Sequence, residues 1–258
     1  SGVNRIIYHR FAHQPWTNPA RLPGMTMGPF GVHFDRTQTW WKQAKPWLQY
    51  QRRCQYLLQE GTFVCDVAWY CPAGYLYINW GHNPHKMPVP VPTGFTYDFV
   101  SDTTLAEMRV ENGELVLPSG QRYRTLVLPE QAFELLPASR AGVARLKAAG
   151  AEILTFEEAK GVLAARAPDV AWNDRAAKLN WIHRRDAGAD WYFVASPRET
   201  PCRVDVSFRV AGRVPELWNP ETGEVTKGVP YAAKDGVTTV RIPFEPCASW
   251  FVVFRAPE

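Results

Sequence analysis

The chain has 258 residues, of which 46% are hydrophobic and 21% charged, a balance that belongs to folded globular proteins and excludes wholesale disorder. Its net charge of +4 comes from 29 basic and 25 acidic residues spread along the sequence. The tight basic clusters are only the pairs Arg52-Arg53 and Arg184-Arg185, so the basic stripe of a nucleic-acid binder is missing. No apolar run approaches the roughly 18 residues that cross a bilayer, which argues against a membrane partner.

In chain order, Val3 to Phe11 reads as a short buried strand, apolar and β-branched in its middle. A long loop follows to about Thr39, punctuated by Pro15, Pro19, Pro23, Gly24, Gly28, Pro29 and Gly31. Loops of this length inside compact domains are usually functional. Trp40 to Glu60 reads as a helix, with Ala44, Trp47, Leu48, Gln51, Cys54, Gln55 and Leu58 on one face and Gly61 as its C-cap. Phe63 to Tyr70 is the next strand, and Pro72 to Gly94 an excursion rich in proline, glycine and aromatics.

Phe95 to Ser101 then reads as a strand, Thr103 to Met108 as a short helix, and Val110 to Leu117 as a hairpin turning at Asn112-Gly113. Tyr123 to Pro129 is an apolar strand, Pro137 to Ala149 an amphipathic helix stopped by Gly150, and Ala151 to Phe156 one more strand. Strands and helices alternating at this spacing imply a parallel α/β layer. Beyond about residue 170 helical periodicity stops. Leu179–Arg185, Asp190–Ser196, Val204–Val210, Val237–Pro243 and Ser249–Arg255 are alternating strands separated by Gly, Pro and Asp, the pattern of a β-sandwich. The change in pattern places a boundary near Pro168.

The five cysteines, Cys54, Cys65, Cys71, Cys202 and Cys247, contain no CxxC pair, which argues against a zinc site. They read as buried free thiols, with Cys202 and Cys247 as the alternative pair. The α/β segment shows no Gly-x-Ser-x-Gly or Gly-x-Cys-x-Gly elbow, no Gly-x-Gly-x-x-Gly after a strand and no P-loop. It is expected to be structural or to mediate assembly.

Several runs carry a specific resemblance. Gly2–Arg10, Ala12–Trp16, Pro23–Gly31, His33–Trp41 and Tyr50–Gln59 resemble the α-L-rhamnosidases of glycoside hydrolase family 106. Glu216–Gly223 and Glu245–Phe254 are similar to that family's C-terminal sandwich. The family's layout is a catalytic (β/α)8 barrel followed by accessory domains. The resemblance therefore implies the end of the barrel over residues 1–61, with Val3–Phe11 its last strand and Trp40–Glu60 its last helix. It implies a flavodoxin-like α/β domain over 62–168 and a β-sandwich over 169–258. One strand and one helix do not close a barrel of eight. The chain begins without a start methionine or signal peptide, and is expected to be the C-terminal part of a longer enzyme.

By resemblance, the reaction is inverting removal of terminal rhamnose from plant or microbial glycans by two glutamates, with calcium at the active site of the full-length enzyme. Inversion needs two carboxyl groups roughly 6.5–9.5 Å apart. No glutamate precedes Glu60 here, so the catalytic pair is expected upstream of Ser1 and no catalytic residue is carried over. This chain itself shows no evident cofactor or metal site. The expected partners are a rhamnose-containing glycan and the rest of the barrel, and the expected compartment is the bacterial periplasm or exterior.

Barrels build their sites at the C-terminal ends of strands, which singles out His9, Arg10, His13, Gln14 and Trp16. These residues either contact substrate, with polar groups on hydroxyls and Trp16 on an apolar sugar face, or brace the loop. His33, Asp35 and Arg36 form a second cluster, read as hydroxyl or metal contacts or as a structural ion pair. Trp40 and Trp41 are neighbours that face different directions, so one is a sugar platform at most; Trp40 is the candidate. His82 and His85 read as a solvated loop rather than a metal site. Two other functions stand beside the rhamnosidase reading: a non-catalytic carbohydrate-binding or assembly module, and a short hydrolase using Asp35, Asp66 or Asp98.

Overall fold

The structure is a computed structural model and describes residues 3–9, 11, 13–22, 24–26, 28–30, 34–71, 91–128 and 136–257. Arg10, His33, His82 and His85, with most of the expected excursion between Pro72 and Gly94, lie outside the described residues.

The expected strand Val3–Phe11 is not formed: residues 3–9 and 11 are irregular. Their apolar, β-branched character favours extended backbone. A strand also needs a hydrogen-bonding neighbour, and none of the sheets supplies one. The segment is instead tied to helix α1, Ala44–Gln59, which follows a 3-10 turn at Trp41–Gln43. The Arg5 guanidinium donates to Gln59 Oε1 at 2.6 and 3.0 Å, and the Ile6 amide to Gln55 Oε1 at 2.7 Å. Within α1, Ala44, Cys54 and Leu58 are buried, whereas Trp47 stays largely exposed.

The single strand expected over Phe63–Tyr70 is two, in different sheets: β1 (Thr62–Phe63) and β2 (Val67–Tyr70). Next come β3 (Tyr97–Val100), α2 (Asp102–Glu107), and the hairpin β4 (Arg109–Glu111) and β5 (Glu114–Val116). The hairpin turns at Asn112 and Gly113, both at positive φ (53° and 81°), as a two-residue primed turn requires. The strand expected over Tyr123–Pro129 is also split, into β6 (Arg122–Tyr123) beside the hairpin and β7 (Thr125–Leu128). Then come α3 (Pro137–Ala148), β8 (Glu152–Thr155) and α4 (Phe156–Ala164). Sequence reading missed α4 by running its first residue, Phe156, into the preceding strand. Its start signal is a capping box, in which Thr155 and Glu158 each bond the other's backbone amide.

The last part contains β9 (Val170–Trp172), β10 (Asn180–Arg185), β11 (Ala189–Ala195), β12 (Cys202–Phe208) and β13 (Val214–Trp218). It ends with β14 (Val225–Thr226), β15 (Tyr231–Lys234), β16 (Val237–Phe244) and β17 (Ser249–Arg255).

Strands β2, β3, β7 and β8 pair in parallel in the order β3-β2-β7-β8, so the chain winds outward in both directions from β2, as in doubly wound sheets. Alternation sends Ala68 and Tyr70 into one core with Leu105, Leu126 and Leu146, and Val67 and Trp69 into the other with Phe156 and Leu163. Two antiparallel sheets, β1-β10-β11-β17-β13-β14 and β15-β16-β12-β9, enclose Tyr192, Val206, Phe208, Ile242, Val252 and Phe254 between them. The outward residues Trp191, Phe251 and Val253 receive Cys54 and Leu58 of α1. Thus α1 and β1 dock on the outer face and edge of the antiparallel layer although they precede the parallel layer in sequence.

Candidate functional site

Two constellations gather chemistry-bearing side chains. The first is the N-terminal loop. Gln14 is buried and acts as a brace: its carboxamide donates to the Met25 carbonyl at 2.8 Å and accepts from the Met25 amide at 2.9 Å. It also donates to Asp35 Oδ2 at 2.9 Å. Gly24 makes this approach possible, since a Cβ there would lie 1.9 Å from Gln14 Oε1 and its φ is +83°. Asp35, 1% exposed, accepts from the Thr37 amide and hydroxyl, each at 2.6 Å. Arg36 donates to the carbonyls of Gln14 (2.5 Å) and Trp16 (3.2 Å). Gln14, Asp35 and Arg36 therefore hold the loop's shape, with Gln14 and Thr37 among the groups that bond Asp35.

His9, His13 and Trp16 are exposed. The Arg21 guanidinium lies 5.6 Å from the Trp16 ring centroid. Trp40 and Trp41 join one aromatic cluster rather than parting. Phe34 stacks on Tyr8 at 4.6 Å and meets Trp40, Trp41 and Trp47 at 5.5, 5.3 and 5.9 Å. Trp40 and Trp47 stand edge to face at 5.9 Å and, with Gln43 and Ala44, line an open cleft of about 400 Å³. Indole faces beside one carboxamide can receive the apolar face and a hydroxyl of a sugar ring. Sequence reading found Trp40 but assigned Trp47 to the buried face of its helix.

The second constellation escaped sequence reading. His183, 1% exposed, points inward from β10. Its Nδ1 is 2.8 Å from Asp169 and its Nε2 2.8 Å from Asp190, and its ring stacks on Tyr192 at 3.9 Å. The Tyr192 hydroxyl donates to Asp169 at 3.0 Å. Arg209 extends the chain of charge from Asp169 (3.7 Å) to Asp66, which it grips at 2.8 and 3.0 Å. Arg185 donates to Asp190 at 2.5 Å; Arg213 lies 2.8 Å away as an ion pair too poorly angled for a hydrogen bond.

Burial alone would push the His183 pKa down, but the bonds to both aspartates outweigh it and raise it. For Asp190 burial acts upward, and the bonds from His183 and Arg185 bring it below the usual carboxylate range. Burial and Asp169 hold the Tyr192 phenol well above its ordinary value. A buried histidine with both ring nitrogens taken by carboxylates is placed to tie strands together rather than to accept a proton from a substrate. The signal in sequence was polar His183, Asp190 and Tyr192 spaced two apart or paired on inward positions of adjacent strands.

The remaining candidates are committed separately. Asp98 accepts from the Tyr123 hydroxyl at 2.9 Å, and Asp66 is held by Arg209. All five cysteines are free, Cys202 and Cys247 included; burial pushes the Cys54 thiol up to about 11. Among the described residues no three His, Cys, Asp or Glu side chains gather to hold a metal ion. Also among them, no helix is long and apolar enough to cross a membrane.

A doubly wound parallel layer joined to a pair of antiparallel sheets, with an aromatic loop and helix packed alongside, defines a multi-layer α/β plus all-β protein. The sequence pattern of glycoside hydrolase family 106, described as alpha-L-rhamnosidase, matches residues 1–161 and 155–233, and the chain belongs to that family. The solved rhamnosidase of Novosphingobium sp. PP1Y is 28% identical with a TM-score of 0.74, over 88% of this chain and 26% of that one. A Formosa agariphila protein provisionally named beta-glucuronidase is 27% identical over 294 residues, covering 98% of this chain and 24% of the relative. The alpha-L-fucosidase isoenzyme 2 of Paenibacillus thiaminolyticus shares the fold, at 11% identity and a TM-score of 0.56, over 88% of this chain and 53% of that one. This chain thus spans about a quarter of the length of the rhamnosidase and of the Formosa protein.

Proposed function

We propose that this chain is the C-terminal part of an inverting α-L-rhamnosidase that removes terminal rhamnose from plant or microbial glycans in the periplasm or outside the cell. The family match over residues 1–161 and 155–233 carries the reading. In it, residues 1–61 complete a catalytic barrel whose two glutamates and calcium lie in the part of the enzyme outside this chain, and residues 62–168 and 169–258 are accessory layers. The exposed apolar face supports it. Among the described residues, twelve of the sixteen exposed large hydrophobics fall between Val3 and Tyr56, with Ile7 and Phe30 each 84% exposed. An apolar surface concentrated in this way marks an interaction face, and the rest of the barrel is its proposed partner. His9, Arg10, His13, Trp16, His33 and Trp40 are the proposed substrate contacts, braced by Gln14, Asp35 and Arg36.

The test is hydrolysis of an aryl α-L-rhamnoside by the purified chain, with and without calcium, after circular dichroism shows it folded. No turnover is expected from the chain alone, and calcium-dependent turnover is expected from a longer enzyme that contains it. Turnover by the isolated chain would sink the reading, because the acid and base would then lie within these residues. The Trp40–Trp47 cleft also favours a second reading, a carbohydrate-binding module, which an inactive longer protein that still binds glycan would support.

A further inference from the structure

One edge of the parallel layer and the end of β10 beyond β1 lie beside each other, each without a further sheet partner among the described residues. β3 is the outermost strand of the parallel sheet. On β10, β1 covers only Arg184 and Arg185, and the Val64 amide adds one bond to His183. Among the described residues, Asn180, Trp181 and Ile182 therefore have no sheet neighbour on that side. Between the edges lies a cleft of about 590 Å³. That is within the roughly 300–1,000 Å³ of small-molecule sites, which occur preferentially at such junctions.

The chemistry of its walls is mixed in a specific way. Phe95, Tyr97, Phe99 and Trp181 line it with aromatic surface; Tyr97 and Phe99 stand edge to face at 5.3 Å. Asn4 and Asn180 bring exposed carboxamides, neither with a side-chain hydrogen-bond partner among the described residues. A carboxamide offers donors and an acceptor in one plane, which matches a pair of adjacent hydroxyls. The charges argue against an anionic ligand. Arg184 is committed to the carbonyls of Glu60 (2.5 Å), Gly61 (2.7 Å) and Gln59 (3.3 Å). Asp98, whose Oδ2 accepts from Tyr123, brings a carboxylate to the cleft.

We infer that this cleft binds a neutral saccharide, with the sugar's apolar face on the Tyr97, Phe99 and Trp181 rings and its hydroxyls on the Asn4 and Asn180 carboxamides. The inference stands on the cleft and is independent of the rhamnosidase reading.

The experiment titrates the intact chain with L-rhamnose, D-galactose and D-glucuronic acid, followed by saturation-transfer NMR. The variants are Asn4→Ala and Asn180→Ala, whose side chains are exposed, and Trp181→Leu checked by circular dichroism. The expected result is saturable binding of rhamnose or galactose in preference to glucuronate, weakened about tenfold by each asparagine substitution, the equivalent of one good hydrogen bond, and weakened by Trp181→Leu through loss of the ring face. Three results would overturn the proposal: no saturable binding of either neutral sugar, a preference for glucuronate, or binding untouched by both asparagine variants. Loss of binding in Trp40→Ala alone would place the sugar at the Trp40–Trp47 face and would also overturn it. Because the readout is binding, absence of rhamnoside hydrolysis leaves the result unaffected.

Discussion

His183 lies between Asp169 and Asp190 with both ring nitrogens engaged at 2.8 Å, so a neutral imidazole would leave one nitrogen lone pair facing a carboxylate. Its raised pKa means that its contribution to stability is fully present below the unfolded value of about 6.5 and is lost as pH rises through the folded value. Asp190 has the opposite sign: its lowered pKa contributes above the unfolded value, about 3.9, and is lost as pH falls through the folded one. Stability measured by urea unfolding should therefore fall at both ends of the pH scale. In His183→Gln it should drop by about 3 kcal/mol near neutrality, the cost of breaking a buried pair by removing one partner, and its alkaline limb should flatten. An alkaline limb as steep in the variant as in the parent would show that His183 is not the titrating group.

The two constellations differ in how far sequence exposed them. Gln14, Asp35 and Arg36 stood out as polar residues in a Pro/Gly loop, yet sequence could not reveal that each bonds the loop's own backbone or neighbours. The His183 cluster joins Asp66 to Arg209 across 143 positions, a distance at which only the fold decides who meets whom.

Among the elements, α1, the Asn112-Gly113 hairpin, α3 and the longer antiparallel strands were legible, because periodicity and turn residues act within a few positions. The errors occurred where one apolar run serves two sheets. Thr62–Tyr70 and Arg122–Leu128 each change sheet around Asp66 and Arg124, with no Gly or Pro to mark the break. The amides of Arg124 and Thr125 both donate to the Asp66 carbonyl, so the two breaks hold each other. Val3–Phe11 failed for a different reason, since strand propensity does not supply a partner strand.

Gly61 shows how narrow such a junction is. It passes the chain from α1 to β1 at φ +62°, and a Cβ would lie 2.5 Å from the Arg185 carbonyl oxygen and 2.6 Å from the Trp191 ring. Replacing a glycine at positive φ costs more than about 1 kcal/mol even where space allows. Gly61→Ala should therefore lower the melting temperature and loosen α1 from Trp191, visible as faster amide exchange in Cys54–Leu58. Equal melting temperatures for variant and parent would mean that the α1–β1 junction relaxes freely.

At the scale of the molecule, the parallel and antiparallel layers are joined by backbone at a few points: β1 on β10, and Gly94, whose carbonyl accepts the amides of Asp169 and Val170. Arg209 adds the charged tie, reaching from the end of β12 to Asp66 at the entry to β2. Burial would lower its pKa, but the bonds and charges of Asp66 and Asp169 raise it, so it stays a cation at any working pH. Removing it leaves Asp66, 5% exposed, with Arg124 at 3.3 Å as its remaining ion-pair partner among the described residues, and removes a cation from Asp169. A buried carboxylate left in that state costs about 3 kcal/mol. The loss falls on the contact between layers rather than within either core, so it should change cooperativity as well as stability. Calorimetry of Arg209→Ala should show a lower first transition and a second one near the parent temperature, while circular dichroism at 25 °C stays that of a folded chain. A single transition at the parent temperature would mean that β1 and Gly94 suffice to couple the layers and that Arg209 serves only its own surface.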